Sequence, residues 1–237
     1  KTYWFTVASL ACFNFLNRAN SWWQTTLLQE AIIATNETDA YHGINLPQIQ
    51  SIISIAGIVS GLLIAPAIVY LANRWKEGLF PFCISSSRSI QFIAAIGSAI
   101  SIPFGILYVW GAVIDVYIVI IGAIISGICN AALIPLGLDT ILNVIPSIHR
   151  GSACALLYLI QSATGDGPAP FIIGWISDSI RNGQTDDASH YYSLATGMYI
   201  AFGIGIGTSV FMFIASYFYP KDSLENRDRI REEYEDM

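Results

Sequence analysis

Two runs decide the fold: Ser89–Gly111, SIQFIAAIGSAISIPFGILYVWG, and Val116–Ile145, VYIVIIGAIISGICNAALIPLGLDTILNVI. Only Ala112-Val113-Ile114-Asp115 separates them. Across 89–145 the only charged residues are Asp115 and Asp139. Each run exceeds the ~20 apolar residues that cross a hydrocarbon core ~30 Å thick at ~1.5 Å per residue. Helices of soluble domains average nearer ~11–12 residues and keep a polar face. A link this short makes the two runs an antiparallel hairpin of membrane helices. Four further runs of similar kind lie outside it: Tyr3–Ala34, Leu46–Ala72, Ser152–Ile180 and Tyr192–Tyr219. The chain therefore reads as an all-α membrane protein with six transmembrane helices, and transport is the function class this favours.

Composition agrees. Hydrophobic residues make up 54% of the 237 and charged residues 12%, against about 25% charged in soluble proteins. Mean hydropathy is +0.55. The net charge of −6 arises mainly in loops and tail, and no basic patch suits a nucleic-acid partner. Cys12, Cys83, Cys129 and Cys154 fall in or beside apolar runs without metal-ligand spacing. They read as small packing residues, so neither a disulfide framework nor a metal or other cofactor is expected.

Lysine and arginine set the orientation. With six spans, one side holds Lys1, Arg74, Lys76, Arg88, Arg150, Lys221, Arg227, Arg229 and Arg231, and the other holds only Arg181. Both ends of the chain should then be cytosolic. The sequon Asn36-Glu37-Thr38 falls in the first non-cytosolic loop, where glycosylation of Asn36 would need it. Residues 1–220 form the bundle and 221–237 a charged cytosolic tail. The start at Lys1, immediately before a span, reads as the later part of a longer protein. Two triplets of spans suit the three-plus-three repeats of many transporters.

Arg18 is the sharpest anomaly. It lies about 15 residues into the first run, among Asn14, Asn17 and Asn20. A charge at the centre of a membrane helix costs on the order of 2.5–3.5 kcal/mol on insertion scales. Asn14, Asn17 and Arg18 are spaced i, i+3, i+4 and share a face. That face should point into the bundle or a watery cavity, as an anchor for an anionic group or as one half of an ion pair. Asp166 is its expected partner: at 1.5 Å per residue it sits ~21 Å from the cytosolic end of its span, against ~23–25 Å for Arg18. Asp139, at ~10 Å by the same measure, is a poorer match and a secondary cavity candidate. An unpaired aspartate at that depth could instead carry a proton.

Around Asp166 the run Gly165-Asp166-Gly167-Pro168-Ala169-Pro170 breaks its own helix, since each proline removes a donor and displaces a carbonyl one turn back. Gly165, Gly167, Pro168 and Pro170 make a candidate hinge, which is tolerated at membrane depth where it lines a cavity. Pro135-Leu136-Gly137 is a weaker break. Gly57 and Gly61, like Gly203 and Gly207, are spaced for close helix contact. Trp22 and Trp23 read either as packing residues or as neighbours of Arg18. His42, His149 and His190 fall in loops or at span ends, with no nucleophile or metal cluster beside them, so an enzyme is not expected.

Spans four and five also carry a family resemblance. Asp139 followed by Val144-Ile145-Pro146 and Arg150-Gly151-Ser152-Ala153 resembles the spinster branch of the major facilitator superfamily around its tenth helix. Gly165-Asp166 followed by Pro170 resembles that family's G-D-x-x-x-P. Ile173-Gly174-Trp175-Ile176-Ser177-Asp178 is similar to its I-G-x-I-S-D. The family's basic pair is here His149-Arg150, and Arg18 has no counterpart in its seventh helix. The resemblance implies the second six-helix half of a twelve-helix transporter, with a missing N-terminal half as partner. It also implies proton-linked export of a lysophospholipid or sphingoid-type amphiphile in a lysosomal, endosomal or plasma membrane. The alternatives are a facilitator for a sugar or organic anion, and a six-helix membrane enzyme or scaffold. A half-open concave face would favour the half-transporter, and a polar hydrogen-bonding lining would favour a sugar-like solute.

Overall fold

The computed structural model describes residues 1–35, 40–41, 44–78, 88–181, 183 and 186–235. Asn36 lies outside them. Six helical rods follow one another in the described chain. The first is α1, Thr2–Ala34. After a two-residue antiparallel pairing of β1, Ala40–Tyr41, with β2, Ile44–Asn45, the second rod is α2, Leu46–Val59, then a π turn at Ser60–Ile64 and α3, Ala65–Lys76. The third is α4, Ser89–Gly111. The fourth is α5, Val116–Asn130, and α6, Leu133–Val144. The fifth is α7, Arg150–Gln161, a π turn at Ser162–Asp166 and α8, Pro168–Arg181. The sixth is α9, Asp187–Glu235.

Local chemistry explains the breaks. Each π turn ends two residues before a proline, Pro66 or Pro168. A proline cannot donate to the carbonyl four residues back and pushes it aside. The wider turn accommodates that displacement, and the Ala65 N–H reaches back five residues to the Ser60 carbonyl. The fourth rod breaks at Ala131–Ala132, and Ala131 carries the carbonyl that Pro135 leaves without its usual donor. Asn45 and Gln48 form a capping box at the start of α2. The Asp115 carboxylate accepts from the Tyr117 N–H at 2.9 Å and starts α5.

The hairpin of α4 and α5 closes on glycine. A β-carbon on Gly122 would come within 2.9 Å of the Phe104 carbonyl oxygen and the Tyr108 nitrogen, both backbone atoms of α4. The central pair is α1 against α9, where the Ser9 hydroxyl donates to the Thr208 carbonyl at 2.7 Å. Two apolar clusters stack along this pair. One gathers Val7, Leu10, Ile90, Leu136 and Met212, and the other Leu27, Leu28, Val109, Val116 and Met198. They meet near residue 14 of α1.

By length and composition, four rods are apolar enough to cross a membrane: Leu46–Lys76, Ser89–Gly111, Val116–Val144 and Ala188–Arg229. The first and fifth rods are the two that carry Arg18 and Asp166. One expectation needs correcting. Gly57, Gly61 and Gly203 have open space where a β-carbon would go, so they do not cement helix contacts among the described residues, whereas Gly207 lies against Cys12. The charged stretch after Tyr219 continues α9, which runs through Pro220 to Glu235. Asn226 of that extension donates to the Asn143 carbonyl at 3.1 Å.

Candidate functional site

The fifth rod touches the bundle along one narrow stripe. Leu157, Gln161, Gly165, Ala169 and Ile173, each four residues from the next, are buried, while most residues between them are exposed or half-buried. Gly165 sits against Asn14, and that approach brings the π turn onto α1. At its last residue the Asp166 Oδ1 lies 2.7 Å from the Arg18 Nε. The Asn14 Nδ2 donates to the same oxygen at 3.3 Å and to the Gln161 carbonyl at 2.8 Å. Lower on the same rod, the Trp23 Nε1 donates to the Pro170 carbonyl at 3.0 Å. Trp23 therefore packs on α8, with its ring against Gly174, rather than on the Arg18 guanidinium.

The pair is not sealed in. Side chains of Arg18 and Asp166 are 48% and 41% exposed. They lie on the face of α1 that also shows Asn17, Ser21, Trp22 and Thr25. An ion pair open to this extent is disfavoured against lipid, since a charge in hydrocarbon is costly. Gly167 has open space around it, and Pro168 and Pro170 are half-buried. The four hinge candidates thus flank the pair directly.

Two sequence candidates go elsewhere. Asn17, though on the face of Arg18, turns toward the second and fourth rods. It lines a cleft of about 300 Å³ with Asn20, Gln24, Ser60, Ser126 and Asn130. Asp139 does not join the pair: it sits half-buried on α6, with Tyr219 of α9 as an electrostatic neighbour. Asn130, Gln24 and Ser126 escaped the sequence reading. The 3.6-residue period puts Gln24 on one stripe of α1 with Asn17 and Asn20, which is the signal that could have found it, while Ser126 and Asn130, four apart, share a face of α5. A second cleft of about 320 Å³ between α3, α4 and the fourth rod has an almost wholly apolar wall, including Ile68, Ile93 and Leu133.

No family model and no curated protein matches the chain. Solved structures do, among them the two that follow. Both are crystal structures of a bacterial homolog to the human lysosomal transporter Spinster. The inward-facing, occupied form aligns with a TM-score of 0.65 at 16% identity, covering 93% of this chain and 50% of that one. The inward-facing, unoccupied form gives 0.66 at 15%, covering 93% and 48%. The chain thus spans about half the length of these structures. Its fold matches that of about half of those structures. The particular protein it is similar to is that bacterial Spinster homolog.

Proposed function

We propose that this chain forms the C-terminal half of a secondary transporter that moves an amphiphilic small molecule, with the Arg18–Asp166 pair on the wall of the transport cavity. The observation that carries this reading is the position of the pair. It lies half-exposed on one face of a half-transporter fold, on the span whose helix is interrupted by a π turn and two prolines. Discontinuous helices of this kind build substrate and ion sites where the two halves of a transporter meet. The missing six-helix half would cover the open face of the first, second, fourth and fifth rods. Membrane lipid would cover the apolar exterior, where residues such as Leu62 and Phe171 are exposed.

In this reading the pair holds the cavity shut in one state. Its opening coincides with a proton or the substrate taking the place of one partner, which couples a local charge change to a two-state rearrangement. Gly165, Gly167, Pro168 and Pro170 supply the bend. Both ends of the chain face the cytosol, and a lysosomal, endosomal or plasma membrane is the setting the fold's nearest function suggests. The test is flux in proteoliposomes of the natural gene product that carries this chain, with a labelled lysophospholipid and, separately, a labelled alkyl glucoside, each under an imposed pH gradient. Saturable flux that responds to the gradient supports the reading. Absence of saturable flux of any amphiphile overturns it.

A further inference from the structure

The cleft beside the ion pair has an unusual inventory. Asn17, Asn20 and Gln24 of α1 and Asn130 of α5 present four carboxamides to one space of about 300 Å³. Among the described residues no side-chain hydrogen bond involves any of them, and the Asn20 Oδ1 is shut off from solvent without a partner there. A carboxamide offers two donors and two acceptor sites. Leaving several such groups unpaired within a membrane bundle is unfavourable unless something else satisfies them. Among the described residues no charged side chain lines the cleft, and Arg18, next to Asn17 in the chain, is paired with Asp166. Apolar Phe13, Ile53, Ile134 and Phe202 also line it.

We infer that this cleft is the head-group site for an amphiphile whose polar end is uncharged and rich in hydroxyl or amide groups. A phosphate or carboxylate head would lose its water without gaining a counter-charge, which is costly at this depth. A hydroxylated head instead trades water for amide hydrogen bonds, and neighbouring hydroxyls match the paired donor and acceptor of a carboxamide. The apolar wall then takes the first part of the tail. This refines the transporter reading and rests on it only for movement across the membrane, not for binding.

The test separates the two claims. Take the natural gene product in lipid nanodiscs and measure equilibrium binding of octyl glucoside, below its micellar concentration, and of octyl phosphate. The tails are identical and only the head differs. The expected result is at least tenfold tighter binding of the glucoside, lost by tenfold or more in Asn17→Ala and Asn130→Leu. Asn20→Leu should weaken glucoside binding to a similar degree while leaving the thermal unfolding midpoint unchanged or higher, because it removes an unpartnered buried oxygen. That combination of signs distinguishes a ligand site from a packing role. Equal or tighter binding of octyl phosphate, no binding of either probe, or full binding in folded amide variants each overturns the inference. Binding without flux in proteoliposomes overturns the transporter reading alone. Flux indifferent to the amide variants overturns the site alone.

Discussion

Gly165 lies flat against Asn14, so closely that a β-carbon on the glycine would overlap the asparagine's carboxamide. This contact seats the π turn on α1 and holds Asp166 beside Arg18. Gly165→Ala should therefore displace the Asn14 side chain from both its acceptors, at a cost of about 1–3 kcal/mol, as for overpacked cores. Gly151→Ala is the control. It lies in α7 with open space where a β-carbon would go and no proline after it, so it should be neutral or stabilising by about 0.4–1 kcal/mol. Chemical unfolding of both variants in detergent reads the difference.

Arg18 and Asp166 satisfy each other, so each single neutralisation leaves a lone charge on the cavity wall. Arg18→Gln and Asp166→Asn should each reduce flux of the natural gene product at least tenfold. The Arg18→Gln/Asp166→Asn double variant should unfold at a higher temperature than Asp166→Asn alone, since it leaves no unpaired charge. If Asp166 carries the coupled proton, the double variant regains stability but not the response of flux to a pH gradient. Flux at several imposed gradients, with melting curves alongside, checks both. Wild-type pH response in Asp166→Asn would end the coupling role.

The α4–α5 hairpin depends on backbone meeting backbone at Gly122. Side chains can swing away from an intruding methyl group, but the Phe104 carbonyl and the Tyr108 nitrogen can move only with their helix. Gly122→Val should lower stability by about 3 kcal/mol, the upper end for overpacking, and more than Gly203→Val, where a β-carbon has open space. The yield and melting temperature of the two variants are the comparison.

Orientation is open to direct labelling. Ile114, in the four-residue link before α5, is 47% exposed, and Ile148, between α6 and α7, is 75% exposed. In a version of the natural gene product lacking native cysteines, Ile114→Cys should react with an impermeant maleimide only from the non-cytosolic side. Ile148→Cys should react only from the cytosolic side. The reverse pattern would invert the topology that the lysine and arginine count implies.

Hydropathy made the lengths and ends of the rods legible. Ser89–Gly111 spans the same residues in the sequence reading and in the structure, and the fourth rod starts at Val116 in both. Depth along a helix was legible too, because rise per residue is nearly constant, and it brought Arg18 to Asp166. Azimuth was not. Helical period states which residues share a face but not what that face meets, so Asn17 was grouped with Arg18 although it lines the cleft with Asn130. Gly57 and Gly61 carried the spacing of a helix contact, yet among the described residues nothing meets a β-carbon built on either. The π turn before Pro66 was missed for a related reason. Its neighbours are uniformly apolar, and a hydropathy profile does not register a wide turn.

The two π turns have a mechanical consequence. Along the second rod Ile49, Ser60, Ala65 and Ala72 are buried, and the step of five from Ser60 to Ala65 breaks a regular stride of three or four. The extra residue resets the stride, so both segments of a bent strut keep the same side turned inward. Bending in such a strut concentrates at the joint, where one carbonyl already lacks its donor, instead of spreading along its length. A bundle with joints in two struts and plainer braces beside them resembles an articulated frame more than a single lever. One end can swing while the glycine-locked hairpin of α4 and α5 stays fixed as the post against which the swing is made.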